Sequence, residues 1–420
     1  MRVVIVSQYY RPERALIPST LAEGLLARGH EVRVLTSFPN YPFGRIYEGF
    51  ERKRRHVERL NGVLVRRVPM YLDHSSRPLR RMLNYATFAV SSGLAGRFVR
   101  GADVIYIYAP QMTPAVGPLW WRRTRRIPYV VHVQDLWPES ITGSSLVSTG
   151  SAKRIIDRAL NPWLRSVYRN AAFVVAIAPA MARMLIDRGA PSDRVREVMN
   201  WADETAVEDG HHPGRETSEL TSVPVTCTVL YAGNLGDMQD LDTVIEAAAR
   251  VRHLPGFSLE IVGDGVARHR LESRAQELGA DNVTFVGRVE PSALPEFYRR
   301  SDFQIIPLKD LPIFRGTIPS KLQASLFSGV PVITTVLGDV ENIVSANGLG
   351  LTALPENVES IAAAFEQAHR TRADERAAMS QRAHAYYAEN LSQERGIDSI
   401  ESLLREAAAS VARKRKASLS

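Results

Sequence analysis

Short apolar runs alternate with longer segments of helical periodicity from the first residue onward. Arg2–Ser7 is predicted to be a buried strand, Ile17–Arg28 a helix that ends at Gly29, and Glu31–Thr36 the next strand. Apolar strands that alternate with helices are typical of a parallel sheet covered on both faces. The pattern continues with predicted helices at 78–100, 112–123, 152–169 and 179–188, and with predicted strands at 104–108, 129–133, 173–177 and 196–199.

Two segments interrupt this alternation. Within residues 37–76, the pattern predicts a loop, a charged turn at ERKRRHVERLNG and then a strand at VLVRRV. Residues 208–222 have no periodicity and contain two His, two Gly and one Pro, which predicts an interdomain linker. The pattern then restarts, with strands predicted at 227–231, 259–262, 283–286, 303–307 and 331–334, helices at 241–251, 268–278, 292–300 and 319–328, and further helices after Asn357.

We therefore predict an α/β fold with two Rossmann-like domains that face each other across a cleft. The predicted boundaries are 1–207 for the first domain, 208–222 for the linker, 223–395 for the second domain, and 396–420 for a C-terminal helix with a basic tail. A chain of 420 residues suits two domains of this size. The single cysteine excludes an intrachain disulfide and favours the cytosol, and neither a signal peptide nor a membrane-spanning run is recognised.

The net charge of +8 is distributed unevenly. Residues 1–205 carry 31 Lys and Arg against 16 Asp and Glu, whereas the remainder carries 22 against 29. A basic half is consistent with nucleic acid, with an anionic membrane surface, or with plain solvated arginines. No helix-turn-helix, RNA-binding strand motif or zinc finger supports nucleic acid, so we expect none as a partner. The membrane alternative would use Arg52–Arg55, Arg77, Arg80, Arg81 and the segment Trp120–Arg126.

Glycine-rich turns follow two predicted strands of the second half. Gly233 and Gly236 flank Asn234 after one strand, and Gly263 precedes Asp264 after the next. Glycines at strand ends let the backbone approach a ligand, and ligands of open α/β sheets bind at the carboxyl ends of the strands. Each turn alone is also consistent with an ordinary connection, but their repetition favours a binding site.

Lys321 lies in the first turn of the helix that follows Gly316–Pro319. A cation at a helix N-terminus is disfavoured by the helix dipole unless an anion is present. The position therefore suggests a diphosphate bound between Lys321 and the helix amides, with Arg315 as a second contact. An ordinary surface lysine is the alternative.

A third group of polar residues follows the strand at 129–133. His132, Asp135, Trp137 and Glu139 lie in or just after it, and an imidazole at this place could act as a base. A packed core histidine and a turn-capping Asp135 are the plainer interpretations. Asp240 and Asp242 form a literal DxD, but they precede a helix, where Asp serves as a cap, so no metal site is predicted.

The sequence resembles family 4 of the glycosyltransferases, the retaining GT-B enzymes, and within it the bacterial group that acts in capsule, O-antigen and colanic-acid-like polysaccharide assembly. The resemblance covers nearly the whole chain and rests on motifs in matching order: QYYRPE in the opening segment, RGHEVRVLT, PNYP, DLWPES, YAGNLG, VGDG and PSK. It implies an acceptor-binding first domain, a second domain that binds a nucleotide sugar, usually a UDP-sugar, and catalysis without an obligatory metal or other cofactor.

The resemblance also implies roles for individual residues. The catalytic candidates are His132, Asp135 and Lys321. The donor-binding candidates are Gly233, Asn234, Gly236, Gly263, Asp264, Arg288, Arg315, Ser320, Lys321 and Gln323, and the acceptor-binding candidates are Tyr10, Glu13, Tyr41, Trp137 and Glu139.

The expected function is transfer of a sugar from a nucleotide donor to a glycan or a polyprenyl-diphosphate-linked acceptor, with retention of anomeric configuration. One departure matters: members of the family usually carry two glutamates eight residues apart, and here Gly316 and Ala324 stand at those positions, with Gln323 as a partial substitute. A sugar-nucleotide epimerase of the same fold and a catalytically degenerate subunit remain alternatives. The expected location is the cytoplasm, with attachment to the inner face of the cell membrane left open.

Overall fold

The computed structural model describes residues 1–41, 44–51, 56–73, 78–137, 150–206 and 226–417. Contacts divide the chain into two compact units, of which the first comprises Met1–Met199 with Glu394–Ser420 and the second comprises Asn200–Gln393. The predicted linker at 208–222 lies outside the described residues. Within the described ranges, no helix is both long enough and apolar enough to cross a lipid bilayer.

The first unit is built on a sheet whose described strands run in the order β3-β4-β2-β1-β5-β6-β7-β8. Every neighbouring pair is parallel except β3 with β4. The strands are β1 (Arg2–Val6), β2 (Glu31–Ser37), β3 (His56–Leu60), β4 (Val63–Val68), β5 (Val104–Ala109), β6 (Tyr129–Val133), β7 (Phe173–Ala176) and β8 (Val195–Glu197), and the helices are α1 (Leu16–Ala27), α2 (Pro78–Gly93), α3 (Val116–Arg125), α4 (Gly150–Asn170) and α5 (Pro179–Asp187).

The centre of this sheet is apolar on both faces. All of Val3–Val6 and Tyr129–Val133 is buried, which explains why these segments are continuous apolar runs and do not alternate. Because the strands are parallel, their carboxyl ends meet at one edge of the sheet. That edge is therefore where polar side chains following β1, β5 and β6 come together.

The sequence predicted a turn for the charged segment ERKRRHVERLNG, and the structure shows more than a turn. Its second half forms β3, which pairs antiparallel with β4 at the edge of the sheet. Asn61 and Gly62 connect the two strands with φ angles of 48° and 80°. Two central residues with positive φ form the hairpin turn that matches strand twist, and Asn-Gly is its strongest sequence signal. The charges on β3 suit an edge strand, because they oppose pairing with another chain.

The second unit is built on a parallel sheet whose described strands run in the order β11-β10-β9-β12-β13-β14. The predicted α/β fold with two Rossmann-like domains is thus confirmed. The strands are β9 (Cys227–Ala232), β10 (Phe257–Val262), β11 (Val283–Gly287), β12 (Phe303–Ile306), β13 (Val332–Thr334) and β14 (Gly350–Thr352), and the helices are α6 (Leu241–Arg250), α7 (Arg268–Glu277), α8 (Leu294–Arg300), α9 (Ser320–Phe327), α10 (Asp339–Ala346), α11 (Val358–Arg370), α12 (Ala373–Asn390) and α13 (Gln393–Ala417).

One helix boundary differs clearly from the prediction, and two short elements were not predicted. The helix predicted to reach residue 100 ends at Gly93, followed by turns. The short elements α10 and β14 were not predicted from the sequence. A strand of three residues gives too little alternation to be recognised, and β14 is stabilised by pairing with β13.

The last helix, α13, belongs to the first unit by its contacts. Ile397 packs so closely on Gly24 of α1 that a Cβ added at Gly24 would lie 2.5 Å from its Cδ1 atom. Arg28 at the end of α1 forms an ion pair with Asp398 at 2.5 Å. The chain therefore returns to its first unit after completing the second.

Candidate active site

The glycine turns of the second unit lie directly against each other at the carboxyl edge of its sheet. Gly233 follows β9 with φ 154°, and Gly263 follows β10 with φ 142°. A Cβ at Gly263 would lie 1.8 Å from the carbonyl oxygen of Gly233. Since no side chain fits there, the glycines bring two backbone segments into contact. The Leu235 amide donates to the Asp264 carbonyl at 3.0 Å, which joins the two turns further along.

Lys321 reaches these turns from the start of α9. A Cβ at Gly233 would lie 2.6 Å from the Lys321 Cε atom, so this glycine also makes room for the lysine. The Lys321 Nζ donates to Gln239 Oε1 at 2.9 Å and lies 5.0 Å from the centre of the Tyr231 ring. The glycine turns and the helix N-terminus, which were recognised separately in the sequence, therefore form one site.

The charge of Lys321 has no carboxylate partner among the described residues of this site. Burial lowers the pKa of the Lys321 ammonium to about 8, because the group loses water and gains only a neutral amide and an aromatic ring. The site is therefore electrostatically incomplete. A bound anion would supply the missing charge, and the N-terminus of α9 adds its own preference for an anion.

Gln239 and Tyr231 were missed as candidates. Gln239 ends a short 3-10 turn at Asp237–Gln239, and the Tyr231 hydroxyl donates to the Asn234 carbonyl at 2.6 Å. Their contact with Lys321 joins positions 80 or more residues apart in the chain. The sequence signal was weak, because a lone Gln in a loop and a Tyr at a strand end are common.

The other donor-side candidates differ in how far their side chains are exposed to solvent. Arg315 is exposed and forms an ion pair with Asp310 at 3.1 Å, and Arg288 is exposed just after β11. Ser320 is exposed in the first turn of α9, whereas Gln323 is buried, so its side chain lies in the interior of the domain. Ala324 packs against an apolar cluster formed by Leu230, Ala232, Val262, Tyr298 and Val330.

The Asp240-Leu241-Asp242 segment is occupied by contacts within the protein. Asp240 Oδ1 accepts from the Thr243 hydroxyl at 2.7 Å, and its other oxygen accepts from the Glu356 amide at 3.1 Å. Asp242 is bound by Arg270. In the described residues, no three His, Cys, Asp or Glu side chains are grouped as metal ligands.

In the first unit, His132 is in the core and cannot serve as the proposed base. Its side chain is fully buried, its Nδ1 is 2.6 Å from the Tyr106 hydroxyl, and its Nε2 is 3.2 Å from the Val198 carbonyl. Burial lowers its pKa to about 4, so the ring stays neutral. Both ring nitrogens are therefore engaged, and the plainer interpretation of a packed histidine describes it.

Asp135 is different, because it reaches solvent two residues after β6. Protein atoms around the rest of its side chain remove part of its water and raise the pKa of the carboxyl to about 6. A carboxyl with this pKa can exchange a proton near neutral pH. Within the predicted cluster, Asp135 remains a candidate catalytic residue, whereas Glu139 lies outside the described residues.

Two of the acceptor-side candidates have structural roles. Tyr10 is fully buried, and Glu13 is nearly so. The Glu13 carboxylate accepts from the amides of Asn40 at 2.7 Å and Tyr41 at 2.8 Å, and thereby holds the loop after β2. Burial raises the Glu13 pKa, whereas these amide bonds lower it. Glu13 is therefore a loop anchor, and Tyr41, which is half exposed, is the member that faces solvent.

Buried amides and aromatic rings occupy the carboxyl edge of the first sheet. Gln8 Nε2 donates to Asn84 Oδ1 at 2.9 Å, and Gln111 donates to Gln8 Oε1. The rings of Tyr9 and Tyr41 are 5.6 Å apart, and those of Tyr85 and Trp137 are 5.7 Å apart. We call Tyr9, Tyr41, Tyr85, Trp137, Gln8, Asn84 and Gln111 the amide–aromatic cluster.

Sequence reasoning included only Tyr41 and Trp137 of this cluster. The glutamines and Asn84 come from three distant elements, and only the sheet brings them together. Trp137 itself is almost fully buried, so it supports the cluster through Tyr85. Arg81 adds a positive charge, and its Nη2 donates to the Tyr85 hydroxyl at 3.2 Å.

Comparison with known proteins agrees with this architecture. Residues 18–201 match the model of a glycosyl transferase 4-like domain, and residues 224–386 match that of glycosyl transferases group 1. The chain is 30% identical over 384 residues to WcaI of Escherichia coli K12, which is named as a glycosyl transferase of colanic acid biosynthesis, with 88% of this chain and 92% of the relative covered.

Solved structures show the same fold. Sucrose-phosphate synthase from Thermosynechococcus elongatus has a TM-score of 0.71 at 16% identity and covers 97% of this chain and 99% of its own. HepE from Anabaena, solved with UDP and glucose, has a TM-score of 0.67 at 15% identity and covers 97% and 100%. The two domain matches, the near full-length relative and the two parallel sheets together show that this chain belongs to family 4 of the GT-B glycosyltransferases.

Proposed function

We propose that this protein transfers a sugar from a nucleotide donor, a UDP-sugar, to a glycan or lipid-linked acceptor with retention of anomeric configuration, in the biosynthesis of cell-surface polysaccharide. The observation that carries the proposal is Lys321, whose buried ammonium has only Gln239 and the Tyr231 ring as partners. A diphosphate bound against the glycine turns would neutralise the charge of the Lys321 ammonium. The solved structure of HepE with UDP and the role named for WcaI support the donor and the pathway class.

The chemistry proposed for this site is electrostatic. As the bond from the sugar to the diphosphate breaks, negative charge grows on the leaving oxygen. Lys321 and the free amides at the start of α9 are already oriented in a place that excludes much of the water. Preorganised donors of this kind stabilise developing charge strongly, since they need no reorganisation during the reaction.

On the acceptor side, we propose that Asp135 and the tyrosines of the amide–aromatic cluster bind the acceptor, while the buried amides and Trp137 hold these rings in place. Tyrosine hydroxyls can donate to and accept from sugar hydroxyls, and aromatic faces pack on the apolar faces of sugar rings. Asp135 would accept a hydrogen bond from the attacking hydroxyl or position it. Arg81 beside Tyr85 would suit an anionic group on the acceptor, such as a phosphate.

No metal is required in this proposal, because Lys321 and the helix amides take the role of a cation. Transfer should therefore persist in EDTA. Complete loss in EDTA that magnesium or manganese restores would contradict this part of the proposal and would favour Asp240 and Asp242 as metal ligands.

The decisive experiment compares the wild-type chain with Lys321→Met, which removes the charge and nearly keeps the volume. UDP should raise the melting temperature of the wild type and raise it much less in the variant, since a ligand that binds only the folded state stabilises it. Arg370→Met, an exposed position on α11, is the control and should respond as the wild type does. An equal response of Lys321→Met and wild type would remove the donor site from this place.

Product analysis separates transfer from epimerisation. Incubation with a UDP-sugar alone should leave the donor largely intact, and adding a membrane extract that contains acceptors should consume it. Steady release of a free, epimerised sugar without any acceptor would favour the epimerase alternative.

A further inference from the structure

Two neighbouring helices of the first unit expose large apolar side chains on the side away from the sheet. On α2 and just after it these are Leu83, Val90 and Leu94, with 47%, 61% and 76% of their surface exposed. Spacings of seven and four residues place them on one helical stripe. On α3, Val116 and Trp120 are four residues apart and are likewise exposed.

The two stripes form one surface. α2 and α3 touch at their glycines, since a Cβ at Gly117 would lie 3.2 Å from the Cα of Gly93. Both helices precede strands added in the same direction along the sheet, and right-handed crossovers place such helices on the same face. We call Leu83, Val90, Leu94, Val116 and Trp120 the α2–α3 face.

The opposite sides of these helices are buried against the sheet. Phe88 and Ser92 of α2 are fully buried, and so is Trp121 of α3. Of the adjacent tryptophans, only Trp120 is therefore available to a partner. This corrects the expectation that the whole segment Trp120–Arg126 faces outward, and Arg125 also turns inward, where its Nη1 donates to the Gly96 carbonyl at 2.6 Å.

Positive charge is concentrated at the C-terminal ends of α2 and α3. Between residues 74 and 134 the sequence has nine arginines and a single carboxylate, Asp103. The Asp103 side chain accepts from the Arg2 amide at 2.7 Å, at the amino end of the sheet. Four exposed arginines lie at these helix ends, Arg97 and Arg100 after α2 and Arg123 and Arg126 at the end of α3. In the described part of the chain, none of the four forms an ion pair with a carboxylate. Arg52–Arg55 and Arg77, also expected at such a surface, lie outside the described residues.

We infer that the α2–α3 face docks on an anionic lipid bilayer. Its apolar residues would enter the interfacial region, Trp120 would lie at the level of the headgroups, and the exposed arginines at the ends of the two helices would bind lipid phosphates. The excess of arginine over carboxylate complements such a surface and does not complement a second copy of the same face. The inference goes beyond the proposed function and does not depend on it, because none of these residues belongs to the donor site or to the amide–aromatic cluster.

The test is flotation of the full chain with two kinds of vesicle, pure phosphatidylcholine and phosphatidylcholine mixed with phosphatidylglycerol. At low salt the chain should float with the mixed vesicles and not with the neutral ones, and high salt should release most of it because exposed charges are screened. Absence of binding to the mixed vesicles at low salt overturns the inference.

Paired variants locate the surface. Leu94→Gln with Trp120→Gln should reduce the bound fraction, and Arg123→Gln with Arg126→Gln should weaken binding by about fivefold for each arginine removed. The matched controls are Val266→Gln with Leu354→Gln, both exposed in the second unit, and Arg370→Gln with Arg372→Gln. Equal binding by the α2–α3 variants and the controls overturns the inference, since the membrane would then contact another surface.

Two further measurements keep the outcome clear. Melting temperatures and the UDP-induced shift should be the same in all variants and wild type, because the substituted side chains are exposed. Loss of vesicle binding with an intact UDP shift therefore bears on this inference alone. Light scattering that shows a wild-type dimer and a monomeric Leu94→Gln with Trp120→Gln variant overturns the inference in favour of an interface between two copies.

Discussion

At the residue scale, the site of the second unit depends on the environment of one cation. Lys321 is held by Gln239 and lies over Tyr231, both of which are neutral. Its pKa is lowered by burial, not by another positive charge. The same residue would be an unremarkable surface lysine without the glycine turns that enclose it.

The affinity for UDP should therefore decrease as pH rises above about 8. Below the lowered pKa the ammonium is charged and attracts the diphosphate, and above it the unliganded protein must take up a proton before binding. Titration calorimetry from pH 7 to 9.5 should show weaker binding and net proton uptake at the upper end. Lys321→Met should bind UDP weakly with little pH dependence. A wild-type affinity that stays constant over this range would mean that Lys321 does not contact the diphosphate.

The charged Asp135 carboxylate should lower the stability of the folded chain near neutral pH although it contributes to activity. Its pKa is about 6 in the folded chain, above the usual value of an aspartate, so folding favours the protonated form. The associated stability is fully present below the unfolded pKa and is lost as pH rises through about 6. Asp135→Asn, which stays neutral, should melt higher than wild type at pH 7.5 and at about the same temperature near pH 4.

The same variant should transfer sugar more slowly while it keeps its UDP-induced thermal shift. A variant that melts no higher at pH 7.5 would show that the carboxylate is well solvated. An equal loss of UDP binding would instead move Asp135 to the donor side.

At the element scale, pairs of loops owe their geometry to glycine. Gly263 has a φ of 142° and faces the Gly233 carbonyl so closely that no Cβ fits. The hairpin of β3 and β4 depends in the same way on Gly62, with φ 80°. In both cases the positive φ angle depends on the residue being glycine. Which backbone segments lie next to each other depends on the arrangement of the strands in the sheet.

Gly263→Ala should destabilise the second unit and abolish the UDP-induced thermal shift. The matched control is Gly29→Ala, where φ is 81° but no atom lies within 4 Å of the added Cβ. The control carries only the cost of a positive φ, about 1 kcal/mol. Thermal unfolding with and without UDP distinguishes the two. Equal behaviour of both variants would show that the two glycine turns do not need to touch.

At the scale of the whole molecule, the chain ends in the unit where it began. The contact of Ile397 in α13 with Gly24 in α1 joins residues more than 370 positions apart. Such a contact closes the first unit only after the second has been synthesised. The C-terminal helix is therefore part of the first unit, where it packs on α1.

A double-mutant cycle tests whether α13 packs on α1. Gly24→Ala should destabilise the wild type by about 1 kcal/mol, because the new methyl group overlaps Ile397 Cδ1. In an Ile397→Val background that atom is absent, and Gly24→Ala should be neutral or stabilising, as alanine is favoured over glycine inside a helix. Denaturant unfolding of the four chains gives the coupling. Additive effects of the two substitutions would mean that α13 does not pack on α1.

The sequence by itself determined the two α/β domains, because alternation of apolar strands with helices is recorded in local periodicity. It also identified the glycine turns and Lys321, since glycines repeated at two predicted strand ends and a cation at a predicted helix start are unusual in themselves. It missed β3, although Asn61-Gly62 is a strong hairpin signal, because the strand is too charged to resemble its buried neighbours.

Only the tertiary structure decided which of these residues are neighbours and which are buried. His132 and Trp121 became core residues, Glu13 became an anchor for a loop, and Gln239 joined Lys321. Residue type and spacing do not carry this information, because burial and pairing depend on elements that are distant in the chain. Parallel strands collect their carboxyl ends at one edge whatever lies between them, and that long-range geometry assembles the site.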